Sequence, residues 1–223
     1  IAVEGIESLP NLEAMTPDQV DARLGGAHAV IVPGGFGWRG MEGMIQASRS
    51  ARQAGIPFLG IGLGMQMAVV DIARHEAGIE GAHSDEFGPD CPDIFYYAGL
   101  DHPEGVCPEQ IPFCERPMRR GAWPLVLEES SLLRKIYGSP EASERHHHRR
   151  EFNPAYSGVL AATGLRYSGL SPDGRLVEAV EWPGHPFFVG TLYHPEFKSR
   201  PTRPHPLFLA LIEKALDYKK GSK

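Results

Sequence analysis

The sequence has few of the features that mark several classes of protein. Its 223 residues include only three cysteines, an odd number that indicates free thiols rather than a disulfide framework. No apolar run approaches the ~18 residues that a membrane helix requires, and no signal-peptide pattern opens the chain. Acidic residues (28) outnumber basic ones (22), for a formal net charge of −6, which disfavours a nucleic-acid partner. We therefore expect a cytoplasmic protein with no membrane and no nucleic-acid partner.

What the chain does contain is an alternation of strand and helix patterns. Thr16 and Gln19 have the spacing of a capping box and predict a helix from Pro17 to about Leu24. Later patterns predict a strand over 29–32, a helix over 41–54, a strand over 58–61 and a helix directly after it. Such alternation is typical of an α/β fold with a parallel sheet and helices on both faces.

The second half of the chain adds other elements. Pro172-Asp173-Gly174 is a turn signal between apolar patterns over 165–169 and 176–182, which predicts an antiparallel hairpin. A strand over 187–194 and an amphipathic helix over 206–218 follow. Residues 78–123 are rich in Pro, Gly and Asp, and we expect long irregular loops there, over a site rather than in the core.

The segment from Phe58 to Gln66 has the pattern of a nucleophile elbow. Phe58 to Ile61 is a buried-strand pattern, glycines follow it, and Met65 opens an apolar helical face. A strand, a sharp turn and a helix together hold one residue at a strained apex beside free backbone N–H groups. The apex residue here is Gly62, which has no side chain to act as a nucleophile.

The motif Gly60-Ile61-x-Leu63-Gly64-Met65-Gln66 resembles the elbow of the class I glutamine amidotransferases, in particular the glutaminase domain of CTP synthases. In that family x is the cysteine nucleophile. The resemblance extends, in family order, through Val32-Pro33-Gly34-Gly35-Phe36-Gly37-x-Arg39-Gly40, Glu144-Arg145-His146-x-His148-Arg149, His185-Pro186-Phe187-Phe188-Val189-Gly190 and Tyr193-His194-Pro195-Glu196-Phe197. It implies a flavodoxin-like three-layer α/β fold with a mostly parallel sheet and an added antiparallel hairpin. We expect one domain over residues 1–223, without the first strand and helix with which such relatives begin.

The resemblance also implies catalytic roles. His194 would be the general base, and Glu196, two residues on, would orient it and stabilise its cationic form. The backbone N–H groups of the loop Gly34-Gly35-Phe36, together with that of Leu63, would stabilise a developing oxyanion, and Gln66 belongs to the same ligand-binding set. From the tripeptide alone, a strand-end histidine with a solvated glutamate is the alternative.

Two further residues are assigned to ligand binding by resemblance. Glu86 matches the carboxylate that binds the α-amino group of glutamine, and Arg119 matches the arginine that binds the α-carboxylate. The sequence departs from the family around Arg119, so Arg120 could take the role instead, or the loop could serve a different ligand. The alternative for Glu86 and Arg119 is ordinary surface charge.

The run Glu144 to Glu151 is dense in histidine and arginine. Imidazoles at alternate positions of a strand share one face and could bind a metal or an anion, but the resemblance implies a structural and interface role. Cys91, Cys107 and Cys114, with His102, lack zinc-finger spacing, although one cysteine could reach the site on a mobile loop. We predict no metal and no cofactor.

The missing cysteine leaves three hypotheses of function. Gly62 excludes the γ-glutamyl thioester of ordinary glutaminases, so the protein could hydrolyse another small amide or ester through His194 and Glu196. It could instead be a non-catalytic module that binds a small, glutamine-like ligand. It could also be a CTP synthase glutaminase domain inactivated by a cysteine-to-glycine substitution, although the altered loops favour a divergent stand-alone paralogue. A homo-oligomer or a partner enzyme is possible in each case.

Overall fold

A computed structural model describes residues 1–8, 11–88, 91–97 and 118–221. The helices are α1 (Pro17–Leu24), α2 (Met41–Ala54), α3 (Leu63–His75), α4 (Leu132–Tyr137), α5 (Ser157–Ala162) and α6 (Pro206–Gly221). The strands are β1 (Val30–Val32), β2 (Phe58–Ile61), β3 (His83–Ser84), β4 (Asp93–Tyr96), β5 (Arg119–Leu127), β6 (Glu141–His148), β7 (Glu151–Phe152), β8 (Arg166–Leu170), β9 (Val177–Glu181) and β10 (Phe188–Thr191). None of the described helices is long and apolar enough to cross a membrane.

Seven strands form the main sheet in the order β1-β2-β10-β9-β8-β5-β6. β1, β2 and β10 pair in parallel, whereas the pairs from β10 through β9, β8 and β5 to β6 are antiparallel. The predicted hairpin is the β8–β9 pair, and the antiparallel part of the sheet extends beyond it to β5 and β6. The α/β fold expected from the sequence is confirmed.

The sheet is covered on both faces, because successive strand side chains alternate between faces. Phe58 of β2 belongs to a core cluster with residues of α1, α2 and α3. The next residue, Leu59, belongs to a second cluster with Leu133 of α4 and Leu207 of α6. The three layers predicted from the sequence are therefore present, and α3 lies in the core with most of its residues buried.

Local sequence signals account for the ends of several helices. The Thr16 side chain accepts a hydrogen bond from the backbone N–H of Gln19, and the Gln19 side chain accepts one from the N–H of Thr16, so the capping box forms as expected. Gly55 ends α2 in the left-handed conformation, with φ of 70°. These helices agree with the bounds predicted from the sequence.

The segment from residue 78 to 123 was expected to be loop, and for its described residues that prediction is partly wrong. β3, β4 and β7 form a second, three-stranded sheet, and Ile94 and Phe95 of β4 are fully buried. β7 lies some 55 residues after β4 in the sequence. β4 therefore pairs with a strand distant in the chain, which local patterns cannot reveal. The central part of the predicted loop lies outside the described residues.

Candidate active site

The turn between β2 and α3 has the geometry of a strained elbow. Gly62 has φ of 54° and ψ of −112°, a conformation that residues with a side chain rarely adopt. Its N–H donates to the carbonyl of Thr191 at 2.7 Å, and its carbonyl accepts from the N–H of Gln66 at 3.1 Å. The apex predicted from the glycines is therefore fixed by backbone hydrogen bonds on both sides.

His194 reaches the apex because its strand is the neighbour of β2. β10 and β2 are parallel, with Thr191 opposite Ile61, so the residues that follow the two strands meet at the same edge of the sheet. A Cβ atom on Gly62 would lie 3.1 Å from Nε2 of His194. The structure thus brings together two residues that are 132 positions apart.

Glu196 orients the imidazole of His194. Nδ1 of His194 lies 2.6 Å from Oε1 of Glu196. Because an ionised carboxylate only accepts hydrogen bonds, Nδ1 carries the proton, and the lone pair of neutral His194 is on Nε2. The basic nitrogen therefore faces Gly62, as a general base at this apex requires.

The imidazole of His194 lies between an aromatic ring and a glycine backbone. The ring of Phe197 stacks on it with centroids 4.9 Å apart and planes 13° apart. On the other side, a Cβ atom on Gly34 would lie 2.6 Å from Cε1 of His194, closer than any side chain can approach. Glycine at residue 34 is therefore required for this position of the imidazole.

The glycine loop that follows β1 is held by Glu86. Oε1 of Glu86 accepts a hydrogen bond from the N–H of Gly37 at 2.9 Å, and its Oε2 lies 3.4 Å from Nη1 of Arg150. Glu86 therefore lies beside the glycine loop, and its carboxylate already binds the loop and a cation. Binding of a ligand amine by Glu86 stays a prediction.

The first turn of α3, which directly follows the apex, carries two polar groups without a partner in the helix. Leu63 is the first residue of the helix, so its N–H has no partner within the helix. Gln66 is 4% exposed, and its Oε1 has no hydrogen-bond partner within the described part of the chain. A buried acceptor without a donor is costly, so a ligand N–H group would stabilise this oxygen.

The structure places Arg119 in a buried ion cluster. Its Nη1 and Nη2 lie 2.6 and 2.8 Å from the two carboxylate oxygens of Glu178, and its Nε lies 3.0 Å from Oε1 of Glu151. Burial raises the pKa of Glu178, and Arg119 opposes this rise. The guanidinium of Arg119 is thus already paired with two carboxylates of the protein, and its binding of a ligand carboxylate stays a prediction.

An arginine to which the sequence assigned no role in the site lies next to the glycine loop. The guanidinium carbon of Arg149 lies 5.9 Å from the ring centre of Phe36. Arg149 directly follows β6. Side chains alternate between the two faces of a strand, so the pairing of β6 would have indicated which residues of this run point outward. His147, on the same strand, also lies at this face.

Cys91 does not supply the missing thiolate. Its Sγ lies 3.3 Å from the carbonyl oxygen of Gly88 and from Oδ1 of Asp93. Burial and the Asp93 carboxylate raise the pKa of the thiol to about 11, so the neutral thiol dominates at physiological pH. Cys107, Cys114 and His102 lie outside the described residues.

Cys91 is accordingly expected to react slowly with iodoacetamide. A pKa two units above that of a free thiol leaves about 100-fold less thiolate at pH ~8, so alkylation should be at least about tenfold slower in the folded protein than in urea. Mass spectrometry of the peptide that contains Cys91 measures the rate separately from the other two cysteines. Equal rates in the folded and unfolded chain would contradict the raised pKa.

Among the described residues, no group of three or more His, Cys, Asp or Glu side chains is arranged to hold a metal ion. His146 and His148 do share a face of β6, as the strand pattern predicted, but they are buried and hydrogen-bonded to each other, with Nδ1 of His146 2.9 Å from Nε2 of His148. Nδ1 of His148 lies 2.9 Å from the carbonyl oxygen of Arg150, whereas Nε2 of His146 is buried without a hydrogen-bond partner in the described part of the chain.

Comparison with known proteins gives consistent matches over nearly the whole chain. Residues 8–214 match the sequence profile of "Glutamine amidotransferase class-I". A CTP synthase from Mycobacterium avium is 52% identical over 202 residues, which are 90% of this chain and 34% of the relative. A CTP synthase from Symbiobacterium thermophilum is 45% identical over 100% of this chain and 40% of the relative. The chain thus spans between about a third and two-fifths of the length of these relatives.

A solved structure agrees with the sequence matches. The Trypanosoma brucei CTPS glutaminase domain with bound acivicin superposes on this chain with a TM-score of 0.85 at 34% sequence identity. The match covers 97% of this chain and 81% of that one. The similarity therefore includes the fold and the order of the site-bearing elements.

Proposed function

From the premise that this chain belongs to the glutamine amidotransferase class-I family and is of the CTP synthase type, we propose that it does not cleave glutamine through a thioester. It instead uses His194 and Glu196 to activate water against a small amide or ester. The observation that carries the proposal is the direction of Nε2 of His194, which faces the apex at Gly62 while Nδ1 is held by Glu196.

The proposed reaction needs a base, a donor pair and a bound carbonyl. Nε2 of His194 takes a proton from water, and the water oxygen attacks the carbonyl carbon. Negative charge then develops on the carbonyl oxygen, where the N–H groups of the glycine loop and of Leu63 would stabilise it. A preorganised donor of this kind contributes about 3 kcal/mol at a transition state. Glu196 stabilises the imidazolium that forms.

The ligand class follows from the groups around the apex. Gln66 offers a buried carbonyl oxygen to a ligand N–H, and Arg149 lies beside the glycine loop, at Phe36. A small amide or ester that also carries a carboxylate, as glutamine does, fits this set. Arg149 rather than Arg119 is the candidate partner of that carboxylate, because Arg119 is buried with Glu178.

A non-catalytic, ligand-binding role is the second candidate. It is favoured by the close packing of the His194 imidazole against Gly34 and Gly62 and by the hydrogen bond that the Glu86 carboxylate already accepts from the loop. The third candidate, a CTP synthase glutaminase domain inactivated by loss of its cysteine, is favoured by 52% identity to a CTP synthase. A second copy or a partner enzyme stays a prediction.

The test of the proposed hydrolase is the hydrolysis of p-nitrophenyl acetate by the wild type and by His194→Ala. General-base catalysis typically contributes 10²–10⁴-fold, so we expect His194→Ala to lose about 100-fold, and Glu196→Gln to lose less. His75→Ala, on the last turn of α3, is the matched control and should keep the wild-type rate. Equal rates for the wild type and His194→Ala would refute the hydrolase and leave the binding role.

A further inference from the structure

β6 carries three consecutive histidines that do not share one face. His146 and His148 are buried, and burial, with a smaller effect of Arg119, lowers the pKa of His146 to about 2. His147 lies between them, and successive strand side chains point to opposite faces. It is partly exposed on the face where His194 lies.

The ring contacts of His147 place it beside the proposed general base. Its centroid lies 6.5 Å from that of His194 and 6.5 Å from that of Phe197, the ring that stacks on His194. On a third side, Phe36 of the glycine loop meets His147 edge-on at 5.5 Å. A ligand bound at the glycine loop beside His194 would therefore adjoin His147.

In hydrolysis by water, as in a thioester mechanism, the leaving group must be protonated, but the proton has to come from a different place. When a covalent intermediate forms, one histidine acts in each half of the reaction first as a base toward the nucleophile and then as an acid toward the leaving group. When water attacks directly, Nε2 of His194 gains the proton of water, and the same nitrogen would then have to reach the leaving oxygen or nitrogen to protonate it, so the two tasks conflict where these atoms lie apart. A second proton donor close to His194 removes that conflict.

We propose that His147 is the general acid of this site and protonates the leaving group. Nε2 of His194 takes a proton from water, the new C–O bond forms, and the bond to the leaving group breaks as imidazolium His147 gives it a proton. Afterwards His147 takes up a proton from solvent, and His194 releases its proton to solvent. This role rests on the proposed hydrolase function and deepens it.

The charges around His147 set its pH dependence. Arg120 is opposite it on β5, Arg149 follows it on the chain, and His194, bound to Glu196, faces it from the segment after β10. Burial, followed by Arg120, His194 and Arg149, lowers the pKa of His147. The protonated form is therefore a stronger acid than free imidazolium but is scarce near neutral pH, so acid-assisted cleavage should increase as the pH falls.

The experiment compares two esters with the same acyl group and different leaving groups. Phenolate, with a pKa of about 10 as in tyrosine, needs a proton to leave, whereas p-nitrophenolate is a much weaker base and leaves without one. Hydrolysis of phenyl acetate and p-nitrophenyl acetate is measured for the wild type, His147→Gln and the matched control His75→Gln. The rate of His194→Ala is subtracted in each case, and thermal unfolding verifies that the variants fold.

We expect His147→Gln to lower phenyl acetate hydrolysis about tenfold or more and p-nitrophenyl acetate hydrolysis less than about twofold. In the wild type, the ratio of phenyl to p-nitrophenyl rates should rise as the pH falls from about 8 to about 6, and this rise should disappear in His147→Gln. An equal loss with both esters, or no loss, overturns the acid role. If no hydrolysis depends on His194, the proposed function itself has failed, and the assignment of His147 fails with it.

Discussion

Replacement of Gly62 by cysteine is expected to raise ammonia release from glutamine by about 10³-fold. Removing a nucleophile from a hydrolase costs up to about 10⁶-fold, and the other parts of the site are present, namely the elbow, the His194–Glu196 pair and the glycine loop. The gain should be smaller than the full loss, because the new Cβ would lie 3.1 Å from Nε2 of His194. The imidazole must shift by a few tenths of an ångström to admit it.

A coupled assay of ammonia with glutamate dehydrogenase measures this gain. Gly62→Ala is the matched control, since it adds the same Cβ and the same backbone strain without a thiol, and it should show no gain. Ammonia release by Gly62→Cys but not by Gly62→Ala would show that the glutamine pocket is retained. If Gly62→Cys folds and releases no more ammonia than Gly62→Ala, the pocket has changed its ligand, and the glutamine-like class proposed above is wrong.

Replacement of Arg119 by methionine is expected to destabilise the fold by about 3–5 kcal/mol, the usual cost of removing one partner from a buried ion pair. Arg119 forms ion pairs with both Glu178 and Glu151, and its side chain is 4% exposed. Without it, the two buried carboxylates are left close to each other. Urea unfolding followed by circular dichroism measures the loss of stability.

The stability lost in Arg119→Met should increase with pH, because the groups left unpaired are carboxylates. Burial already raises the pKa of Glu178 above its ordinary value, and loss of the adjacent cation raises it further. A group with a raised pKa in the folded state stabilises at low pH and loses that contribution as the pH rises. Arg119→Met should therefore be closer to the wild type at pH ~5 than at pH ~8.

A surface arginine serves as a control that distinguishes the effect of breaking the buried cluster from the effect of removing any arginine. Arg175 pairs with Asp173 in an exposed turn, where its side chain is 83% exposed. Arg175→Met should change stability by less than about 0.5 kcal/mol at either pH. A similar, small effect of Arg119→Met would show that the Arg119 guanidinium is not held in the core, and its role as a ligand-binding residue would have to be reconsidered.

Sequence patterns were sufficient for the elements that depend on neighbouring residues. The capping box at Thr16, the left-handed glycine that ends α2 and the elbow at Gly62 all follow from interactions within a few residues. Their predicted positions agree with the structure to within one or two residues. The meeting of Gly62 and His194 was also expected, but through resemblance to a family rather than through any local pattern.

Local patterns failed where the outcome depends on strand pairing. Arg119 was assigned to a ligand by resemblance, and no local pattern indicated that its place on β5 pairs it with Glu178 of β9. His147 was one member of a charged run, and only the pairing of β6 with β5 places it on the face of His194. A shift of one residue in that pairing would exchange the inward and outward positions, and the sequence near the run does not specify it.

The amino-acid sequence by itself determined the alternation of helices and strands, the strained turn and the absence of a thiol at its apex. Each of these follows from the identity and spacing of adjacent residues. Only the tertiary structure decided which charged side chains face the apex and which are buried as ion pairs, because long-range strand register determines the direction in which each side chain points.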